Sequence, residues 1–325
     1  MSDNVFRPTR RKLLGLMGAA LAWPGPGRAD GLETLSGDAF GTTWRIVGRP
    51  GDGFETIRRD IKALFDGVDR QMSPWRPDSV VSRFNADPAG AYAADDELIH
   101  VTRSALSLAE RSGGAFDPTV GPIVARWGFG PIEGGPEPDW RALSAGDGRI
   151  AKTRGDVTLD LCGIAKGRAL DRAVDLAAAA GLDDLLFDLG GELRAVGRHP
   201  SGRSWRVAVE ARMPAGDPPA ALILPAGRSV ATSGLRDQSY GLAGRTYGHI
   251  IDPLTRSPAE TGLDSVTVVA DDAMTADGWA TALIAAGGAA GPELAAERGI
   301  TALFLVRNGS ELRRIRTGGM DGLLL

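Results

Sequence analysis

Residues 156–171 read DVTLDLCGIAKGRALD, and the spacing of the apolar residues changes in the middle of this stretch. From Val157 to Leu161 apolar and polar residues alternate, which is typical of a β-strand with one buried face. Gly163 interrupts the alternation, and from Ile164 onward the apolar residues recur at helical spacing. The stretch therefore predicts a strand, a glycine turn and a helix in direct succession, and the rest of the chain must pack around that unit.

Lys166 lies in the first turn of this predicted helix. Backbone N–H groups and the positive end of the dipole at a helix N-terminus favour an anion, above all a phosphate. A cation there disfavours the helix itself, so it suits a site that binds a negative ligand. Only four of the 37 Lys and Arg residues are lysines, so lysine is used sparingly in this chain. The alternative is an ordinary strand–turn–helix connection with a solvated lysine.

Charge and cysteine content exclude several classes of function. The net charge of −4 and the pI near 5.5 provide no basic field for nucleic acid. Cys162 is the single cysteine, which rules out an intrachain disulfide and a cysteine-based zinc site. Because no base adjoins it in the sequence, we expect Cys162 to be a small buried residue rather than a nucleophile. With three histidines in the chain, we also expect no histidine-rich metal site.

The N-terminus has the pattern of an export signal. Arg10 and Arg11 precede a short apolar run over residues 13–23, which is too short to span a bilayer. A paired arginine before such a run resembles a twin-arginine signal peptide, and a basic disordered tail is the alternative. We expect residues 1–29 to be the signal and linker and residues 30–325 to form a single exported, periplasmic domain. The mature chain is expected to have no stable membrane span.

The remaining chain predicts helices among hairpin-like strands. Amphipathic or apolar helices are predicted over residues 54–68, 95–111 and 275–286, and Asp78 or Ser79 is a candidate cap for a helical turn over residues 80–85. Residues 131–147 are predicted to be a polar surface excursion. Further strands are predicted over residues 38–47, 185–196, 205–210, 221–224, 230–234, 264–269 and 303–306. Because no regular βαβ repeat occurs, we expect an α+β fold with mixed or antiparallel sheets and flanking helices.

Asp277 and Thr281 are four residues apart on a predicted helix and therefore share one face. With a peptide carbonyl from elsewhere, this carboxylate and hydroxyl would form an all-oxygen set that suits Mg²⁺. Magnesium in such sites commonly bridges to substrate phosphates. The alternative is that Asp277 caps the helix and Thr281 packs.

His249 precedes an Ile-Ile-Asp-Pro turn that contains Asp252. An imidazole titrates near neutral pH, so His249 is a candidate general base, and the alternative is a turn histidine bonded to Asp252. The aromatic side chains of Phe40 and Trp75 could stack on a planar ring or fill the core.

Five separated stretches together resemble the ApbE family of FAD:protein FMN transferases. They occur in the family's order and cover nearly all of the mature chain: residues 72–85, 114–130, 159–171, 232–253 and 264–283. The resemblance implies an α+β fold that binds FAD, with Mg²⁺ beside the pyrophosphate.

The resemblance also assigns roles to individual positions. The implied flavin contacts are Phe40, Trp75, Ala115, Phe116, Asp117, Asp160, Lys166 and Ile251. The implied magnesium ligands are the Gly163 carbonyl, Asp277 and Thr281. His249 matches the histidine of the family's H-I-x-D-P turn, and the implied catalytic residues are His249, Asp252 and Lys166.

The chain departs from the family's pattern at four positions. Phe40 stands where methionine is usual and Trp75 where tyrosine is common, and both still offer a surface for a ring. Cys162 replaces a small residue. Ala280 stands where some relatives carry a second aspartate, which implies a metal shell with one fewer carboxylate and more water.

The activity implied by the resemblance is Mg²⁺-dependent transfer of FMN from FAD to a Thr or Ser hydroxyl of an acceptor protein, with release of AMP. The acceptor would be an exported or membrane electron-transfer flavoprotein. Two alternatives stay open. Water could replace the acceptor hydroxyl, which would make the chain an FAD pyrophosphatase. The chain could also bind flavin without turnover, an alternative that the alanine at position 280 raises.

Overall fold

A computed structural model of the chain describes residues 31–49, 53–135, 137–209, 220–234, 239–242, 245–259, 262–308 and 311–325. The predicted export signal over residues 1–29 lies outside these residues. None of the described helices is long and apolar enough to cross a bilayer.

The described chain consists of helices distributed among antiparallel strands. The helices are α1 (Gly53–Met72), α2 (Val80–Ala86), α3 (Asp96–Arg111), α4 (Gly121–Arg126), α5 (Ala165–Ala179) and α6 (Ala273–Glu297), with 3₁₀ turns at Trp140–Ala142 and Met320–Gly322. The first strands are β1 (Glu33–Ala39), β2 (Thr42–Gly48), β3 (Gly90–Ala93), β4 (Leu143–Gly146), β5 (Arg149–Lys152), β6 (Leu185–Leu189), β7 (Glu192–Val196), β8 (Trp205–Ala208) and β9 (Ala221–Leu224). The later strands are β10 (Ser229–Gly234), β11 (Ser239–Leu242), β12 (Arg245–Gly248), β13 (Ile251–Asp252), β14 (Ser257–Pro258), β15 (Leu263–Ala270), β16 (Thr301–Asn308) and β17 (Glu311–Thr317).

An eight-stranded sheet is the largest layer, with strand order β1-β2-β6-β7-β10-β15-β16-β17. Every neighbouring pair in it is antiparallel. Helices α5 and α6 pack against each other, α6 lies over β10 and β15, and α1 packs on α5 and β1. This arrangement of an antiparallel sheet with flanking helices is the α+β fold that the sequence predicts.

Two predicted strands are instead hairpins. Residues 38–47 were expected to form one strand, but Phe40 and Gly41 have φ angles of 53° and 77° and reverse the chain between β1 and β2. Residues 185–196 were expected to be one kinked strand. There Gly190 and Gly191, with φ of 62° and 103°, connect β6 to β7. A two-residue turn with positive φ at both positions matches the twist of antiparallel strands.

Side-chain caps mark the beginnings of two helices. The Ser79 side chain accepts a hydrogen bond from the N–H of Ser82 and begins α2, as one of the two predicted caps. Asp95 begins α3 in the same way by accepting from the N–H of Leu98. Helix α6 is longer than predicted and contains a kink at Gly287.

The predicted strand over residues 157–161 is wrong. The segment belongs to none of the described sheets, because a side chain and a neighbouring loop satisfy its backbone instead of a strand. The Asn85 amide accepts from the N–H of Leu159 at 2.7 Å and donates to its carbonyl at 2.9 Å. The N–H of Asp160 donates to the Pro118 carbonyl at 2.7 Å. The alternation of apolar residues in this segment correctly indicates which side chains are buried, but the segment does not pair with another strand.

The predicted surface excursion over residues 131–147 is correct only in part. Its second half forms the 3₁₀ turn at Trp140–Ala142 and strand β4. Ala142 and Leu143 are buried in the hydrophobic core, so this part of the segment contributes to packing.

Candidate functional site

The first turns of α5 and α6 meet in close contact. The backbone N–H of Gly167 donates to Oδ2 of Asp277 at 2.9 Å. A Cβ built on Gly167 would lie 2.3 Å from the carbonyl oxygen of Ala273, so only glycine permits this approach. The Asp171 carboxylate extends the contact, because it accepts from the N–H groups of Ala273 at 2.8 Å and Met274 at 3.0 Å. Two carboxylates thus tie the two helices together.

The three predicted metal ligands lie along this contact. A Cβ built on Gly163 would lie 3.3 Å from Oγ1 of Thr281, which shows that the Thr281 hydroxyl lies beside the turn before α5. Asp277 lies one helical turn before Thr281 and is 5 % exposed. Helix α6 is capped by Asp272, which accepts from the N–H of Thr275, so the alternative that Asp277 serves as the cap is wrong.

This donor set fits a small hard cation. It combines one carboxylate, one hydroxyl and one peptide carbonyl, all oxygen donors of the kind that Mg²⁺ takes together with water and substrate phosphates. Ala280, the position of the expected second aspartate, is fully buried in the hydrophobic core. Within the described ranges, no group of three or more His, Cys, Asp and Glu side chains is placed to hold a metal ion. A cation here would therefore be held by few protein charges.

Lys166 is not the solvated lysine of the alternative prediction. Its Nζ lies 2.6 Å from Oε2 of Glu192, whose side chain is 4 % exposed at the start of β7. Desolvation by itself would lower the pKa of Lys166, but the carboxylates of Glu192 and Asp277 raise it, so the ammonium stays charged. Glu192 is not among the residues that the sequence predicts for this site. The available signal was a glutamate directly after the Gly-Gly turn in an otherwise apolar strand.

Burial controls the electrostatics of both carboxyl groups near Lys166. Loss of solvent raises the pKa of Glu192 to about 8, although the Lys166 ammonium works against this shift. Burial also raises the pKa of Asp277, again against the effect of Lys166. Two desolvated carboxyl groups beside one ammonium make a site that is favourable for an additional cation.

Asp160 and Cys162 shape the turn that leads into α5. Asp160 Oδ1 accepts from the N–H of Cys162 at 2.9 Å, and burial raises the pKa of Asp160. Cys162 is exposed, so the expectation of a buried residue is wrong, because this turn lies at the surface of the helix junction. Although the residue as a whole is exposed, surrounding protein atoms partly desolvate its sulfur, and this desolvation and the Asp160 carboxylate raise the pKa of the Cys162 thiol. A thiol protonated near neutral pH is a poor nucleophile.

The loop that carries the predicted flavin contacts Ala115, Phe116 and Asp117 is buried. A Cβ built on Gly163 would lie 3.1 Å from the Phe116 ring, so this loop reaches the same turn as Thr281. Asp117 Oδ1 accepts from both the N–H and the hydroxyl of Thr119, at 2.8 and 2.6 Å. Burial raises the pKa of Asp117.

The two aromatic candidates have different environments. Phe40 lies in the β1–β2 turn and packs edge-on against Phe65, with ring centroids 5.3 Å apart. Trp75 is 44 % exposed, so the alternative that its ring fills the core is wrong. An exposed indole leaves a flat apolar surface on which a planar ring can stack.

His249 adjoins a cluster of aromatic rings. Its ring packs edge-on against Phe129, with centroids 6.4 Å apart. Phe129 stacks on Tyr240, Tyr240 on Tyr247 and Tyr247 on Trp127, with centroid separations of 5.3, 5.6 and 5.4 Å in that order. This cluster connects the glycine- and aromatic-rich segment after α4 with the β11–β12 hairpin.

Asp252 holds the turn that follows His249. Its Oδ1 accepts from the N–H of Leu254 and its Oδ2 from the hydroxyl of Thr255, each at 2.9 Å. Ile251, the remaining predicted flavin contact, is buried in β13, which packs beside α6. The Asp252 carboxylate is thus part of the turn, which positions the preceding residues.

Comparison with known proteins agrees with this fold. Residues 40–304 match the model of the ApbE family. A FAD:protein FMN transferase of Vibrio cholerae is 34 % identical over 293 residues, which is 84 % of this chain and 87 % of that protein. A FAD:protein FMN transferase of Klebsiella pneumoniae is 31 % identical, over 85 % of this chain and 84 % of that protein.

Solved structures show the same similarity. The flavin transferase ApbE from Vibrio cholerae superposes with a TM-score of 0.81 at 29 % identity, over 90 % of this chain and 99 % of that one. The apo form of the Pseudomonas stutzeri flavinyl transferase ApbE gives a TM-score of 0.80 at 34 % identity, over 90 % and 96 % of the two chains. The sequence match over most of the chain and the shared fold agree, and the protein belongs to the ApbE family.

Proposed function

We propose that this enzyme transfers FMN from FAD to a Thr or Ser hydroxyl of an acceptor protein and releases AMP. The relatives that match over most of their length carry the name FAD:protein FMN transferase. The observation that carries the proposal is the convergence of Lys166, Asp277 and Thr281 where the first turns of α5 and α6 meet.

The proposed site separates the binding of the flavin from the binding of the pyrophosphate. Trp75, Phe40, Ile251, Asp160 and the 115–117 loop would hold the flavin part of FAD. The Lys166 ammonium and the N-terminus of α5 would face the pyrophosphate, where both favour negative charge. Gly163, Asp277 and Thr281 would hold Mg²⁺, which when bound supplies neutralisation of the pyrophosphate oxygens.

The reaction needs no covalent intermediate on the protein. The acceptor hydroxyl oxygen forms a bond to the phosphorus of the FMN half, while the bond from that phosphorus to the bridging oxygen breaks. The electron pair of the broken bond leaves with AMP. His249 accepts the hydroxyl proton, and Asp252 holds the turn that orients His249. Lys166 would stabilise the charge that develops on the pyrophosphate oxygens.

We further propose that the enzyme acts outside the cytoplasm. The twin-arginine pattern within residues 1–29 supports export to the periplasm. Exported or membrane-bound electron-transfer flavoproteins are then the acceptors that the enzyme would meet.

A comparison of cells with and without this chain tests the proposal. FMN-modified Thr or Ser peptides should be detected by mass spectrometry in membrane and exported proteins of wild-type cells and be absent from the deletion strain. Restoration by the wild-type chain and failure of an Asp277→Asn variant are expected. Unchanged FMN-peptides in the deletion strain would exclude the transferase activity.

A second measurement separates the remaining alternatives. The purified chain is incubated with FAD and Mg²⁺ but no acceptor, and AMP is quantified. Rapid AMP release without acceptor would instead support an FAD pyrophosphatase. Intact FAD after long incubation with Mg²⁺, both alone and with an unmodified candidate acceptor protein, would support a flavin-binding protein without turnover.

A further inference from the structure

Glu192 is a buried ionisable residue to which no step of the proposed reaction assigns a role. It begins β7 directly after the β6–β7 turn, and its carboxylate lies 2.6 Å from the Lys166 ammonium. Asp277 also interacts electrostatically with both Lys166 and Glu192. Asp188, the other carboxylate that acts on Lys166, is bound by Arg45 at 3.4 Å and by the N–H of Gly191 at 3.0 Å.

One ammonium faces two buried carboxyl groups in this arrangement. Lys166 makes a close ion pair with Glu192, whereas its interaction with Asp277 is electrostatic without a hydrogen bond. Asp277 accepts a hydrogen bond from the Gly167 N–H, a neutral donor, so this bond does not neutralise its carboxylate. With both carboxyl groups ionised the three side chains carry one net negative charge.

This excess charge acts in opposite directions on the two ligands of the proposed function. A negative site attracts a divalent cation and repels a pyrophosphate. Without the charge of Glu192, the Lys166 ammonium would neutralise Asp277 and the site would be neutral. The pyrophosphate would then bind more readily without metal, and the metal would bind less well.

We propose that Glu192, when its carboxyl group is ionised, is a positioning residue that makes FAD binding depend on the divalent cation, because it holds the Lys166 ammonium and leaves Asp277 free for the metal. This inference rests on the proposed binding of FAD and Mg²⁺ at the junction of α5 and α6. It concerns a residue that acts through Lys166 and Asp277 and that does not itself touch the reacting atoms.

The test measures FAD affinity by flavin fluorescence for the wild type and for Glu192→Gln, once in EDTA and once during a Mg²⁺ titration. The pH is set about one unit above the pKa of about 8 of Glu192, so that the wild-type carboxyl group is ionised. We expect the variant to bind FAD about 10-fold more tightly in EDTA and to need about 10-fold more Mg²⁺ for half-saturation of the complex.

Two further variants serve as controls. Glu192→Asp keeps the charge and should retain the metal dependence of the wild type. Glu97→Gln removes another carboxylate that pairs with α5, through Arg168 at 2.7 Å and Arg172 at 2.8 Å, and should leave both affinities unchanged. At a pH about two units below the pKa of Glu192, the wild type and Glu192→Gln should bind FAD equally, since both side chains are then neutral.

The outcomes distinguish this inference from the proposed function. Weaker FAD binding by Glu192→Gln both in EDTA and with Mg²⁺ would indicate a merely structural role and overturn the inference, as would unchanged affinities. Circular dichroism and the melting temperature show whether Glu192→Gln is folded. If Glu192→Gln does not fold, the test passes to Glu192→Asp, and loss of the metal dependence in that variant would overturn the inference. A folded wild type that binds no FAD even with Mg²⁺ would overturn the proposed function, and the inference with it.

Discussion

The backbone N–H of Gly167 and the Asp277 carboxylate form a 2.9 Å hydrogen bond across the contact between α5 and α6. The two residues are far apart in the sequence, and each lies near the beginning of its helix. The bond brings the helix that follows the central turn against the helix that carries the oxygen donors. The geometry of the candidate site therefore depends on how closely these two backbones approach.

Gly167→Ala should disturb this approach. The added Cβ would lie 2.3 Å from the Ala273 carbonyl oxygen and 2.8 Å from Cβ of Asp277, and one of these contacts is with rigid backbone. We expect the free energy of unfolding to fall by about 1–3 kcal/mol, measured by urea denaturation. Gly67→Ala in α1 is the matched control, because its new Cβ would meet only the Arg70 side chain at 3.9 Å. Equal stability of the Gly167→Ala variant and the wild type would contradict the tight contact.

Asp277→Asn should separate metal binding from folding. The amide keeps an oxygen for the Gly167 N–H but removes the only carboxylate of the proposed metal set. We expect Mg²⁺-stimulated AMP release to fall by at least about 100-fold, comparable to the loss of a strong electrostatic contribution to catalysis. The melting temperature should be maintained or raised, since a buried carboxyl group with a raised pKa is removed. Asp271→Asn, at an exposed position, is the control. Full Mg²⁺ stimulation in Asp277→Asn would rule out the assigned ligand.

His249→Gln should slow FMN transfer strongly without weakening FAD binding. The amide can fill the place of the imidazole beside Phe129 but cannot accept the hydroxyl proton near neutral pH. Flavin transfer to the acceptor is expected to fall by about 10²–10⁴-fold, with FAD affinity unchanged. His100→Gln, at an exposed position on α3, should behave like the wild type. If His249→Gln transfers FMN at the wild-type rate, another group must take the proton.

Asn85→Ala should loosen the segment that precedes the central turn. The variant leaves both the N–H and the carbonyl of Leu159 without their side-chain partner. Each lost partner of a buried polar group costs about 1–3 kcal/mol, and some of this is recovered if water enters. Faster amide hydrogen exchange over residues 157–163 is the expected local signature. Ser82→Ala, in the same short helix, should not change this exchange, and identical exchange in Asn85→Ala would argue against the clamp.

Stability should depend on pH through Glu192. Burial raises its pKa in the folded protein from the ordinary 4.5 to about 8, so the folded state binds more protons than the unfolded state between these values. The free energy of unfolding should therefore fall as the pH rises through this window. The melting temperature is measured as a function of pH between these two values. It should fall more steeply with rising pH in the wild type than in Glu192→Gln. If the melting temperatures of the two proteins change with pH in parallel, folding does not raise the pKa of Glu192.

The sequence was sufficient for the elements that depend on local patterns. Amphipathic spacing located α1, α3 and α5, and polar side chains before an apolar turn limited the cap of α2 to Asp78 or Ser79. The sequence does not specify the positive φ at Gly41. One strand is therefore predicted where the structure has the β1–β2 hairpin. Local patterns thus located most elements and missed some of the turns between them.

Sequence motifs also named the candidate site, but the residues that support it were missed. Lys166, Asp277 and Thr281 were predicted individually, and the packing of α5 on α6 brings them to one junction. Glu192 and Asn85 carried no motif. Each acts on a partner that is distant in the sequence, as Asn85 does on Leu159.

The sequence by itself predicted most of the described helices and many of the strands, and it suggested the oxygen donors, because periodicity and residue chemistry are local properties. Only the tertiary structure decided that residues 157–161 are held by a side-chain amide and not by a strand, and that Lys166 pairs with Glu192. The physical reason is that apolar alternation reports which side chains leave water. It does not specify which distant group will satisfy the backbone or the charge once water has gone.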